Sequence, residues 1–215
     1  MATQVAGELY YDLDGQMLEI KRQLRQKNGY PFNPQELQLH LQAAVEGRFK
    51  PIERVHVIIS ETEIMVNLDA PPALPFDGAQ IEFQTGGGWV KVEKREDELY
   101  VNGRKIIFYL SERQQGNNMV RGHELREELS GKPVLHPNIM DALIEYPNFI
   151  PEGWKVDESG NIRFIFFWAV IFRDAGGRLY VRYFCFHVGQ WRRRSCHWLD
   201  DNWGDRGPAA LLASI

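Results

Sequence analysis

The chain has 215 residues, a length that allows one domain or two small ones with enough mass to bury a core. Hydrophobic residues at 44% and charged residues at 25% match ordinary globular domains and exclude disorder, collagen-like repeats and coiled coil. The net charge of −4 excludes only a uniformly basic coat for nucleic acid. The longest apolar run, Phe164 to Phe172, has nine residues, whereas a spanning helix needs about 20. No transmembrane segment and no membrane partner are therefore expected. The start of the chain carries Glu8, Asp12 and Asp14, no Lys or Arg, and no following apolar core. It does not form a secretory signal, and a cytoplasmic location is the expectation. Two cysteines, Cys185 and Cys196, are too few for a disulfide framework or a four-cysteine zinc site, and a reducing compartment leaves them as thiols.

Asp14 is a plausible N-cap, and Leu13, Met17, Ile20 and Leu24 recur at the spacing of one amphipathic helix face. Asn28–Gly29 stops that helix. Asn33, Pro34 and Glu36 then form the start signal of a second, with Leu37, Leu41, Ala44 and Val45 inward and Gly47 as its end. The pair reads as a helical hairpin. From Arg54 the period changes to two: Val55 to Ile59, Ile64 to Leu68, Ile81 and Phe83, Trp89 to Val92, Leu99 to Val101 and Ile106 to Leu110. Asn102–Gly103 is the strongest hairpin signal, because both central residues of that turn need positive φ. Gly86–Gly87–Gly88 is expected to be another hairpin turn, since it lacks the lysine and following helix of a phosphate cradle. Pro71, Pro72 and Pro75 mark an extended connection. Glu112 to Arg121 reads as an exposed loop, His123 to Leu129 as a short helix, and Pro137 to Pro147 as another with Ile139, Met140, Leu143 and Ile144 on one face.

From Gly160 onward the composition shifts. Eight arginines and no lysine face four aspartates, a local charge of +4 that leaves −8 on the rest of the chain. The same 56 residues hold 12 of the 26 aromatics, which marks this tail as a different kind of segment. Phe164, Phe166, Trp168, Val170 and Phe172 alternate with Ile165, Phe167, Ala169 and Ile171, so both faces of that strand are apolar and it should be central and doubly covered. Leu179 to Val188 and Trp191 to Leu199 read as its antiparallel neighbours, and Pro208 to Ser214 as a short closing helix.

Cys185, His187, Cys196 and His197 fall on two neighbouring strands, but Cys196 and His197 point to opposite faces, so no metal site is expected and buried thiols are the plainer reading. A Cys–His nucleophile would need a lowered thiol pKa in an exposed basic pocket, and no third orienting residue can be named. His136 and Asp141 flank a helix start and Asp200–Asp201 form an acidic pair, and neither is a catalytic signature. The most specific signal is the interleaving of Arg182, Arg192 and Arg194 with Tyr180, Trp191 and Trp198. Such a face is the composition of a protein–protein hot spot, or of a platform on which unpaired bases stack while arginines hold phosphates.

Tyr11–Asp12–Leu13–Asp14–Gly15–Gln16 with Gly29–Tyr30–Pro31–Phe32, Gly131–Lys132–Pro133–Val134–Leu135 with Phe149–Ile150–Pro151–Glu152–Gly153–Trp154, and Phe166–Phe167–Trp168 through Trp198–Leu199–Asp200–Asp201 and Trp203 carry a resemblance. They resemble modular, uncharacterised bacterial proteins of the candidate-phylum type with a C-terminal Trp-rich module. The resemblance covers about half the chain and implies modular construction; it carries over no catalytic residue. His136 stands where those proteins often have asparagine, and Ala169 where they often have glycine.

The expected architecture is α+β: an N-terminal helical hairpin over 1–48, an antiparallel β-meander over 49–121, a short helical linker over 122–148 and a C-terminal three-stranded antiparallel Trp-rich sheet over 149–215. The expected function is non-catalytic binding or adaptor activity. It uses Arg182, Arg192, Arg194, Trp191, Trp198 and Tyr180 against a protein partner and needs no cofactor or metal. Single-stranded nucleic-acid binding is the alternative, and a Cys/His-dependent enzyme the third.

Overall fold

A computed structural model describes residues 8–25, 37–38, 41–42, 45–46, 55–116, 118–192 and 195–214. The chain divides into two compact units, Met1–Ile52 and Glu53–Ile215. In the first, helix α1 spans Glu8–Leu24. Lys21 and Arg22 sit in its last turn, where positive charge complements the helix dipole. Arg22 donates to both carboxylate oxygens of Glu19 at 2.7 and 2.6 Å, one turn earlier. Met17 and Leu24, expected on the covered stripe, are exposed. The turn at Asn28–Gly29 lies outside the described residues, as does most of the second expected helix, of which residues 37, 38, 41, 42 and 45 are helical.

The second unit is mixed α and β, dominated by one large curled sheet whose pairings are antiparallel with a single parallel exception. Strands β1 (His56–Ser60), β2 (Glu63–Asn67), β4 (Trp89–Arg95), β5 (Glu98–Val101) and β6 (Arg104–Tyr109) pair in that order as an antiparallel meander. Asn102 and Gly103 have φ of 48° and 78°, both left-handed as their two-residue hairpin requires. Alternation places Ile64, Val66, Val90, Val92, Leu99 and Val101 in one core, beneath helix α3 (Pro137–Glu145), which adds Ile139, Met140 and Leu143.

Strand β3 (Gln80–Gln84) leaves the meander and pairs with β8 (Ile165–Arg173). Gly86–Gly87–Gly88 is therefore not a hairpin turn but a crossing between β3 and β4, which lie in different parts of the sheet. A Cβ at Gly87 would lie 2.7 Å from a carboxylate oxygen of the exposed Asp69 side chain, which would have to swing aside.

The segment expected as a closing helix is strand β14 (Ala209–Leu212). It pairs antiparallel with β6 and meets β8 in parallel at Ala209 and Phe166, which joins the meander to the aromatic tail in one sheet. Its other backbone groups are taken by Leu135 N, which donates to Ala210 O, and by Pro133 O, which accepts from Leu212 N. A four-residue apolar run buried in this way satisfies its hydrogen bonds only through distant segments.

Beyond β8 follow β9 (Leu179–Phe184) and β12 (Ser195–Trp198), both antiparallel. The tail strands thus continue the large sheet. As expected, β8 is covered on both faces, but its alternation is broken by a register shift between Phe167 and Ile171. Ile165 and Phe167 enter the core under α3, while Ile171 joins Phe166 and Trp168 in a second core with Val181, Leu199, Trp203 and helix α2 (Gly122–Glu128). At the shift, Ala169 bonds to Thr85 and Leu135 instead of to β9. Short pairs complete the unit: β7 (Val120–Arg121) with β13 (Asn202–Trp203), and β10 (Phe186–His187) with β11 (Gln190–Trp191). No helix among the described residues is long and apolar enough to cross a membrane.

Candidate functional site

Alternation along β9 puts Tyr180, Arg182 and Phe184 on the face toward α3, and Leu179, Val181 and Tyr183 on the other. Arg182, expected on an open platform, is 1% exposed. Its guanidinium donates to both carboxylate oxygens of Asp141 on α3, at 2.7 and 2.6 Å. The fork geometry is the strongest form of such a pair, and it commits Arg182 to the interior. Tyr180 is half-buried, donates to Asp174 at 3.1 Å and meets Phe76 edge-on at 5.1 Å. Trp198 sits opposite Tyr180 with Arg178 over its ring, and Trp191 stacks on Phe184 at 4.7 Å. Arg192 is exposed, and Arg194 lies outside the described residues. The expected residues are thus spread along β9, with Tyr180 and Trp198 at its start, Arg182 buried in its middle and Trp191 against Phe184 at its end.

Beside Asp141, His136 caps α3: its Nδ1 accepts from Asn138 N at 3.1 Å. The ring is 2% exposed, and burial pushes its pKa down to about 4, with Asp141 and Asp69 pulling upward and Arg182 downward. The unfolded chain, with a histidine near 6.5, binds the proton first as pH falls. The stability contributed by neutral His136 is therefore complete above pH 6.5 and lost progressively toward pH 4. His136→Asn keeps a cap acceptor without the titration. Urea unfolding of that variant at stepped pH should show a flatter decline across this window than the wild type; an unchanged slope would assign the acid sensitivity elsewhere.

Cys196 faces Arg182 while His197 faces Val181 across β9, and burial pushes both the Cys185 and Cys196 thiols up, away from the thiolate. Among the described residues no three His, Cys, Asp or Glu side chains converge as a metal cage would require.

The opposite sheet face holds a cleft of about 380 Å³ that was not anticipated. Phe166 and Trp203, both nearly buried, line its floor, half-buried Phe164, Tyr183 and His197 its walls, and exposed Met119, Asp205 and Arg206 its rim. The rings interlock, with Phe166 at 4.3 Å from Trp203 and 4.8 Å from Tyr183, and His197 at 4.7 Å from Trp203. Trp203 Nε1 donates to Trp198 O at 3.2 Å, which sets the indole plane. Gly122 permits its approach, since a Cβ there would lie 2.6 Å from that nitrogen. The wall from Gly204 to Gly207 is held from behind by Gln114, whose buried amide donates to Gly204 O and Gly207 O at 3.0 and 3.2 Å. Gln114 closes a capping box with Ser111 on a short 3-10 helix, so the segment expected as an exposed loop is largely exposed but carries one buried strut, Gln114. The Trp203 and Phe166 aromatics carried a compositional signal; Gln114 carried none.

The chain matches no family model, no curated protein sequence and no solved structure.

Proposed function

We propose that the chain is a non-catalytic binding protein of the adaptor kind that holds a cytoplasmic protein partner at this aromatic cleft. The observation that carries the reading is the cleft itself: rigid rings on a supported wall, open to solvent and bordered by polar groups. A partner's apolar side chain placed there is desolvated against preorganised rings, the arrangement from which interface hot spots draw their energy. The reading keeps the expected segment order, a helical hairpin over 1–48, a meander over 49–121, a helical linker over 122–148 and a Trp-rich segment over 149–215, with the last carrying the partner surface.

Single-stranded nucleic acid is the weaker reading, because four of the six described arginines of the tail are engaged within the chain. Arg163 donates to Gly153 O, Arg173 meets Glu82, Arg178 meets Asp174 and Arg182 meets Asp141. Selection of displayed peptides against the full chain tests both. Selected peptides should carry an aromatic or aliphatic anchor and bind Met119→Glu about tenfold more weakly or worse. Met119 is 65% exposed, so that change leaves the core intact. Peptides that bind Met119→Glu and wild type equally would overturn the assignment. Labelled single-stranded RNA that binds with a steep salt dependence, lost in Arg192→Glu with Arg206→Glu, would replace it with the nucleic-acid reading.

A further inference from the structure

A second cleft, of about 310 Å³, lies between β3, β8 and the turn that follows α2. Its apolar lining includes Phe83, Leu129 and Trp168, and its polar lining includes Thr85, Arg126 and Lys132. Among the described residues no acidic side chain lines it. In a chain of net charge −4, two cations around an apolar recess with no carboxylate among them is a local reversal of sign.

Two of the nearby acids have partners of their own. Glu124 pairs with Arg113, and Glu128 accepts the hydroxyls of Tyr109 and Ser111. Glu127 borders a neighbouring recess with His123, Arg126 and Ser130. Arg126 has the Phe83 ring at 5.7 Å and Lys132 the Tyr109 ring at 4.9 Å, contacts that leave their hydrogen-bond donors unspent. Lys132 also lies close enough to Glu128 that, against the carboxyl's partial burial, its charge joins the Tyr109 and Ser111 hydroxyls in holding that group below its ordinary range. Trp168, 3% exposed, adds an indole Nε1 with no hydrogen-bond partner among the described residues, and that group can only donate. The carbonyls at the end of α2 do not oppose an anion strongly, since Leu125 O, Glu127 O and Leu129 O already accept from Leu129, Ser130 and Lys132.

Donors and cations above an apolar floor select a ligand with acceptors and negative charge at one end and hydrocarbon at the other. We propose that this cleft binds a small amphiphilic carboxylate, its apolar body on Phe83, Leu129 and Trp168 and its carboxylate held by Arg126 and Lys132. A guanidinium fork matches the two oxygens of a carboxylate, and the volume suits one small ligand at the lower end of the range for such sites. The site shares no lining residue with the aromatic cleft, although the Trp168 ring lies 4.9 Å from that of Trp203.

Decanoate below its micellar concentration is the probe, with decanol and acetate as controls, each titrated into the full chain while the 15N-indole resonance of Trp168 is followed. Decanoate should shift that resonance saturably, decanol should bind about tenfold more weakly or worse, and acetate should leave the resonance in place. Arg126→Gln combined with Lys132→Gln should bring decanoate down to the level of decanol. Ser130→Trp, at an exposed position bordering the cleft, should block it with both charges retained. Equal binding of decanoate and decanol, undiminished binding in Ser130→Trp, or no saturable shift at millimolar decanoate would each overturn the proposal.

Discussion

Arg182→Ala is expected to lower the unfolding free energy by about 3–5 kcal/mol, the cost of leaving one member of a buried ion pair alone. The guanidinium is 1% exposed and the Asp141 side chain 19%, so neither charge recovers much hydration if its partner is removed. The two hydrogen bonds at 2.7 and 2.6 Å tie β9 to α3, and truncation strands the Asp141 carboxylate beneath a helix packed against the sheet. Removing both charges with shape-matched apolar residues, Arg182→Met with Asp141→Leu, should recover most of the loss, since a buried pair costs about as much desolvation as its attraction returns. Chemical denaturation of the two single variants and the double variant gives the comparison. A loss below about 1 kcal/mol in Arg182→Ala would mean that the pair is solvated in solution and that Arg182 is free for a surface role after all.

Phe184→Ala is expected to cost about 3–5 kcal/mol, the range for deleting a large buried aromatic whose cavity closes only in part. Phe184 is 0% exposed and meets Phe167 at 5.4 Å, Trp191 at 4.7 Å and Trp154 at 6.2 Å. It therefore joins β8, β9, β11 and the segment after α3 in a single aromatic junction. The loss should be accompanied by a shift of tryptophan emission to longer wavelength, because Trp191 loses the ring on which it stacks. Repeating the comparison in a Trp191→Phe background should abolish most of that shift. If the shift persists there, Trp154 is the reporting ring, and Trp191 does not depend on Phe184 for its place.

The local signals in the chain were informative about local structure. Asn102–Gly103 specified a two-residue hairpin because few residues other than Asn and Gly adopt left-handed φ cheaply, and both residues adopt it. Pro137 and Pro147 bounded α3 through the hydrogen-bond donors that proline lacks. The doubly apolar run from Ile165 placed a central strand in advance. The functional residues were harder to place. Tail composition pointed to aromatics and arginines, but whether an arginine is solvated or buried depends on the element that packs over it, and for Arg182 that element supplies Asp141 from 41 positions away.

By itself, the sequence determined the Asn102–Gly103 turn, the helix bounds at the prolines and the strand character of β8 and of the meander strands, because each depends on dihedral preference or on alternation within a few residues. Only the tertiary structure decided that β3 joins β8, that Ala209–Leu212 is the strand linking the meander to the tail, and that Gln114 supports the wall of an aromatic cleft. Those outcomes follow from satisfying buried backbone and amide groups with partners far along the chain. A four-residue apolar run has no periodicity with which to announce its partner. The register shift in β8 has the same origin: three residues leave the pairing with β9, Ala169 among them bonds to Thr85 and Leu135, and Ile171 beyond them joins the face of Phe166 and Trp168.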